Sequence, residues 1–278
     1  MEPFGAKLAA AMAARGPLCV GIDPHPGLLR AWDLPETVAG LEKFAMTAAE
    51  ALAGTVAVLK PQSAFFEAYG SGGIAVLERL IARCREEGAL VLLDAKRGDI
   101  GSTMAAYAAA YVTDGSPLAA DAVTLSPFLG FGSLQPALDA ARANGRGIFV
   151  LAMTSNPEGP ALQHSVGRDG RSVAQAIADA AADQNRGERP MGSVGLVVGV
   201  TNGRTGVDLS EVNGPFLAPG LGAQGGTVAD LAVVFGEDLS TVLPTTSREV
   251  LGAGPSMQAL RESALRLADQ LREALSVG

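Results

Sequence analysis

The chain has 278 residues, a formal net charge of -8 and 48% hydrophobic residues, and α/β barrels commonly run to about 250 residues as one unit. The acidic balance argues against nucleic acid or an anionic membrane as partner, since phosphate backbones need a basic face. Only two cysteines, Cys19 and Cys84, are present; that is too few for a disulfide framework and suits a reducing, cytoplasmic setting.

The first expected element is a small amphipathic helix over Lys7 to Arg15. Its alanine-rich stretch is too short, and too soon closed by Arg15, to read as a signal peptide. Short apolar runs then recur: Leu18 to Ile22, Val56 to Leu59, Leu90 to Leu93, Ala122 to Leu125, Gly147 to Met153, Val194 to Val200, Pro215 to Ala218 and Ser240 to Leu243. Runs of this length suit strands covered on both faces, as in parallel sheets. Helical spacing marks Val38 to Leu52, Ile74 to Glu87, Thr103 to Val112, Ser133 to Asn144 and Val173 to Gln184, and Met257 to Leu275 closes the chain. No apolar run approaches the roughly 18 residues that span a bilayer.

Eight strands with interleaved helices predict an α/β fold, and two arrangements compete: an open doubly wound sheet and a (β/α)8 TIM barrel. No Gly-x-Gly-x-x-Gly follows the first strand, so the barrel is preferred, as a single domain over 1–278 with an N-terminal helix. The seventh and eighth strands are the weakest, because Pro215, Pro219 and Pro244 interrupt them. Two polar stretches, Asn156 to Arg171 and Gly199 to Gly214, fall where substrate loops of a barrel belong.

Charged residues gather at strand ends. Asp23 ends the first run, Lys60 the second, and Asp94 and Lys96 the third, with Asp99 just beyond. Two residues apart on a strand, Asp94 and Lys96 point to the same side. Burying such groups costs several kcal/mol per ion unless they pair well, so the array suits catalysis better than a salt-bridged plug. Pro219-Gly220-Leu221-Gly222-Ala223-Gln224-Gly225-Gly226 after the seventh strand and Ser247-Arg248 after the eighth suit a phosphate, through close backbone N–H groups and a guanidinium fork. His25 and His164 lack partners at metal-ligand spacing, no nucleophile elbow is present, and no metal is expected.

Asp94-Ala95-Lys96-Arg97-Gly98-Asp99-Ile100 resembles the Asp-x-Lys-x-x-Asp-Ile signature of the orotidine 5'-monophosphate decarboxylase family, in its larger bacterial subgroup. Gly21-Ile22-Asp23-Pro24, Lys60-Pro61, Thr154-Ser155-Asn156-Pro157, the glycine-rich segment and Ser247-Arg248 follow in the family's order, so the resemblance covers nearly the whole chain. It implies cofactor-free conversion of orotidine 5'-monophosphate to uridine 5'-monophosphate and CO2, the last step of de novo pyrimidine synthesis. Lys96 would donate the proton, Asp94 would lie beside the substrate carboxylate, and Lys60 and Asp99 would complete the charge network. Asp23 would bind ribose, Ser155 the pyrimidine edge, and Gln224 and Arg248 the phosphate, with Pro219 and Thr103 also in contact. Asp99 and Thr103 would come from the neighbouring subunit of a homodimer.

Two other readings remain open. A sugar-phosphate aldolase or decarboxylase of the same suprafamily would need a divalent cation. A non-catalytic nucleotide-binding barrel would have no use for like charge beside a substrate carboxylate.

Overall fold

The computed structural model describes residues 1–203, 205–222, 225–236 and 239–275. Helix α1 (Phe4–Arg15) precedes β1 (Cys19–Ile22), followed by α2 (Pro26–Ala31), α3 (Val38–Leu52), β2 (Val58–Pro61), α4 (Ser63–Glu67), α5 (Gly70–Glu86) and β3 (Leu90–Arg97). The central part runs α6 (Gly101–Tyr111), β4 (Ala122–Leu125), α7 (Gln135–Ala143), β5 (Gly147–Met153), α8 (Gly159–Gln163), α9 (Val173–Gln184) and β6 (Val194–Val198). Then come β7 (Phe216–Pro219), α10 (Val228–Phe235), β8 (Val242–Thr246), α11 (Arg248–Leu251) and α12 (Met257–Leu275). The strands pair in sequence order, all parallel, and β8 closes on β1 to complete a (β/α)8 barrel.

Two layers of core follow from the period-2 alternation of the strands. Cys19, Val58, Leu92, Ala122, Phe149, Val197, Leu217 and Leu243 fill the barrel interior. Their neighbours Val20, Leu59, Leu93, Val123, Val150, Leu196, Ala218 and Val242 pack outward against the helices. Helix α1 stoppers the amino-terminal end of the barrel: the Phe4 ring meets Phe149 edge-on at 6.1 Å. Gly147 makes room for it, since a Cβ there would come within 2.2 Å of the Phe4 ring.

Sequence and structure differ mainly near the carboxyl-terminal rim. The sixth strand stops at Val198 rather than Val200, and Val200–Asn202 form a short 3-10 turn. The eighth runs on through Pro244 to Thr246; its pairing with β1 begins only at Thr245, so the missing proline N–H interrupts no bond of that ladder. Helix α10 was not expected. Its signal was present as a capping box, in which Thr227 and Asp230 each satisfy the other's backbone N–H.

Candidate active site

The same alternation that fills the barrel base carries polar groups to its mouth. One step of two residues above Val58 lies Lys60, above Leu92 lies Asp94, and above Ala122 lies Thr124. Together with Leu151, Val197 and Leu217 they line a cavity of about 320 Å³, completed by Asp23, Gln62, Lys96, Thr154, Ser155, Asn156 and Pro219. A second cavity of about 230 Å³ adjoins it and shares Asp23, Lys60 and Pro219; its far wall is Gly220, Leu221, Thr245, Thr246, Ser247 and Arg248. The site is therefore two-ended, with a charged chamber over β2–β4 and an anion-suited chamber over β7–β8.

Asp94 is the hub of the first chamber. Its Oδ2 accepts from Lys60 Nζ at 3.0 Å, and its Oδ1 accepts from Lys96 Nζ at 2.6 Å and from the Thr124 hydroxyl at 2.8 Å. Gln62 Nε2 donates to its backbone carbonyl at 3.1 Å. Burial alone would push this carboxyl up, but Lys60 first and then Lys96, with hydrogen bonds from Lys96 and Thr124, hold it well below the usual carboxylate range. Burial works equally against charge on Lys60, and the attraction of Asp94 and then Asp23 overcomes it, so its pKa lies above the ordinary lysine value. Lys60 and Asp94 are thus both ionised at neutral pH. Lys60 and Asp94 are almost fully enclosed, whereas the Lys96 side chain is 44% exposed to the cavity mouth.

Asp94 and Lys96 do share a side, but not through regular strand alternation. Between the pairs Leu93–Val123 and Arg97–Leu125, β3 advances four residues while β4 advances two, so β3 is bulged. Lys96 takes a left-handed backbone with φ of 48°, a conformation that costs a residue with a Cβ about 1–2 kcal/mol. Strain of this kind at a cavity rim is held by surrounding structure and marks functional positions.

Ser155 is presented by the loop after β5. Gln163 of α8 grips that loop, accepting from the Thr154 backbone N–H at 3.0 Å and donating to the Thr154 hydroxyl at 2.7 Å. Gly199, at the end of β6, lets Ser155 approach: a Cβ there would lie 2.0 Å from its Oγ. In the second chamber the glycine-rich loop folds back on itself, with Gly226 N–H bonded to the Gly220 carbonyl at 3.0 Å and Gly222 N–H to that of Gly226 at 2.9 Å. Gln224 lies outside the described residues. Two buried oxygens in this region, Asp23 Oδ1 and Thr246 Oγ1, have no hydrogen-bond partner within the protein. Buried polar atoms without partners are rare, and both residues line the second cavity.

Asp99 and Thr103 do not join the cavity of their own chain. Asp99 Oδ1 accepts from the Ile100 N–H at 2.8 Å, and Thr103 is exposed on α6. Ile100, between them, is 61% exposed, and Phe128 and Leu129 in the loop after β4 are 73% and 52% exposed.

Gln62, Thr124 and Thr246 also line the two cavities, although none belongs to a sequence motif. Position was the available signal: each stands at the carboxyl end of a strand, where barrel residues serve a site. Cys19 and Cys84 are free and buried, and burial drives both thiols up to about 12, so neither is a nucleophile. Among the described residues no group of three or more His, Cys, Asp or Glu side chains is placed to hold a metal ion, and no helix is long and apolar enough to cross a membrane.

Comparison with known proteins places this geometry. Residues 16–263 match the model of the orotidine 5'-phosphate decarboxylase / HUMPS family. The chain is 61% identical over 276 residues to an orotidine 5'-phosphate decarboxylase of Salinispora tropica, covering 99% of both chains. It is 58% identical over 280 residues to that of Streptomyces coelicolor, again covering 99% of each. Among solved structures it superimposes with a TM-score of 0.97 on a Streptomyces avermitilis protein assigned as an orotidine 5'-phosphate decarboxylase, at 57% identity and 99% and 97% coverage. The Leishmania donovani OMP decarboxylase superimposes with a TM-score of 0.77 at 30% identity, over 99% of this chain and 100% of that one. With its signature motif, its barrel and its full-length relatives in agreement, the chain belongs to the orotidine 5'-phosphate decarboxylase family.

Proposed function

We propose that the protein converts orotidine 5'-monophosphate to uridine 5'-monophosphate and CO2, as its relatives are named for doing, and that it thereby closes pyrimidine nucleotide synthesis. The observation that carries this reading is the Lys60–Asp94–Lys96 array, its first two members buried, over an apolar barrel floor.

The chemistry explains why such an array is useful. Breaking the C6–carboxylate bond leaves its electron pair in an sp2 orbital in the pyrimidine plane, where no π-system can share it. Stabilisation must come from fixed charge aimed at that carbon. Lys96 supplies it: the ammonium attracts the developing carbanion, and one N–H proton passes to C6 as the pair closes on it. Lys96 is left as a neutral amine, and its partly exposed position gives it water from which to recover a proton. Asp94, ionised by its two lysines, sets like charge beside the substrate carboxylate, a repulsion relieved as neutral CO2 departs. Apolar Leu151, Val197 and Leu217 give the departing CO2 a non-aqueous wall.

The remaining roles follow the two-ended cavity. Asp23, which lines both chambers, takes the ribose hydroxyls; Ser155 takes the pyrimidine edge, with Pro219 against the ring; Arg248 takes the phosphate, with Gln224 by the family resemblance. A phosphate held this far from C6 contributes binding energy that offsets desolvation at the reacting end. Asp99 and Thr103 stand outside their own chain's cavity beside an exposed Ile100, which supports a homodimer in which they enter the partner's cavity. The functional unit is then two copies of the barrel in the cytoplasm, working without an organic cofactor.

Incubation of chelator-treated protein with orotidine 5'-monophosphate tests the reading. Loss of the orotate absorbance is expected, and its abolition in a Lys96→Ala variant. Turnover that depends on added divalent metal would favour a sugar-phosphate enzyme, and nucleotide binding with no turnover would favour a binding protein.

A further inference from the structure

We propose that Thr124 is a positioning residue of the decarboxylation, its hydroxyl fixing both the hub carboxylate and the backbone from which the proton-donating lysine springs. The inference rests on the functional reading above and extends it to a residue outside the family signature.

The bulge in β3 explains the need. Where β3 and β4 run in register, β3 is tied to its neighbour by ladder bonds, but the ladder lapses between Leu93 and Arg97. Asp94, Ala95 and Lys96 lie inside that gap, and Lys96 is held there in a left-handed conformation. Its amide N–H has been taken out of the strand pairing and would be an orphan without a substitute acceptor. The substitute is Thr124 Oγ1, which accepts from Lys96 N at 3.0 Å. The same oxygen donates its own proton to Asp94 Oδ1 at 2.8 Å, the carboxylate oxygen that Lys96 Nζ also binds at 2.6 Å. Lys96 is thus tethered at both its ends to one hydroxyl–carboxylate pair.

The surroundings argue that the hydroxyl is present for these bonds and not for packing. Thr124 is 1% exposed, and beyond Asp94 and the two lysines the cavity it lines continues over apolar Leu151, Val197 and Leu217. Valine has the same shape and would suit that wall better if volume were the only requirement. A threonine also satisfies both ends of its oxygen here, one lone pair and the proton, in a setting where a buried unsatisfied hydroxyl would be costly. Loss of the tether leaves Lys96 and Asp94 in place chemically but free to drift, and misplacement of about 1 Å can cost roughly 100-fold in rate.

Four proteins test this: the wild type and the Thr124→Val, Thr124→Ser and Thr124→Ala variants, each assayed for kcat and KM with orotidine 5'-monophosphate and for affinity to uridine 5'-monophosphate by calorimetry. Positioning predicts that Val and Ala lower kcat by about 10- to 100-fold, the range that a hydrogen bond to a charged group supports. Ser should remain within about threefold of wild type, and nucleotide affinity should change little in all three. A packing role predicts the reverse order, with isosteric Val near wild type and Ser impaired through its missing methyl. If Val fails to fold, the Ser–Ala pair decides alone, since these two differ by one oxygen atom; equal kcat in both overturns the proposal. Wild-type protein without turnover would overturn the functional reading itself, and the inference with it, whereas an active wild type with Val at or above Ser overturns only the inference.

Discussion

Replacing Asp94 by Asn removes the charge at the centre of the array while preserving its shape, and the structure sets the expected size of the effect. The Lys60 and Asp94 side chains are only 8% and 9% exposed, so the Asn variant strands a buried ammonium. Removing one partner of a buried pair costs about 3–5 kcal/mol. Asp23 still faces Lys60 from the same cavity, which places the expected loss near the lower end, about 3 kcal/mol. For a chain of this size that is roughly a 6–12 °C fall in Tm. Lys60→Met should cost less, because Asp94 keeps Lys96 and Thr124. The double variant should be more stable than the sum of the two single losses allows, by about 2 kcal/mol, because neither enclosed member of the Lys60–Asp94 pair is then left as an unpaired charge. Urea unfolding at one fixed protein concentration measures all three, read through the fluorescence of Trp32. This is the sole tryptophan, buried with its Nε1 donating to the Leu251 carbonyl at 2.9 Å. The pH dependence carries a sign. Asp94's native pKa lies below its unfolded value of about 4, so its contribution is complete above that pH and lost as the pH falls through the native value. Lys60's is raised, so its contribution is full below about pH 10 and lost as the pH rises through the native value. The gap between wild type and Asp94→Asn should therefore be flat across neutral pH and narrow in acid. Single losses that add to the double within about 0.5 kcal/mol would refute the coupling.

Four further outcomes are expected. Lys96→Ala should lower kcat by at least about 10³-fold while uridine 5'-monophosphate affinity changes far less, since a proton donor acts mainly in the transition state; a parallel loss of both would point to a binding role. Arg248→Ala should raise KM for the nucleotide by about 10- to 100-fold and leave the affinity for uridine, which has no phosphate, unchanged in titration calorimetry. Mixing inactive Asp99→Ala and Lys96→Ala proteins should restore up to about a quarter of wild-type activity, because a random heterodimer carries one site with both residues intact; no recovery after demonstrated subunit exchange would refute the shared site. Phe149→Ala should destabilise the barrel by about 3–5 kcal/mol in urea unfolding, as it empties the contact that seats α1.

Much of the fold, and the family, lay open in the chain itself. Apolar runs of four to seven residues bounded by turn residues marked the strands, and Val38–Leu52, Val173–Gln184 and Met257–Leu275 form helices at the limits their spacing sets. The charged ends of three successive strands pointed to one place, and Asp23, Lys60, Asp94 and Lys96 do line one cavity. Local periodicity sufficed there because each of these features depends on residues close together in the chain.

Other features depended on neighbours remote in sequence, and only the folded barrel decided them. The proline in β8 is accommodated because the ladder to β1 starts one residue later, a fact of register between residues 19 and 245. Asp94 and Lys96 share the cavity through a bulge opposite β4, not through the alternation that their spacing suggested. Thr124 acquires its place only when Asp94, thirty positions away, is brought beside it. A strand's periodicity is a property of its own backbone, whereas the register between strands, and with it every cross-strand hydrogen bond, is fixed only when the barrel closes.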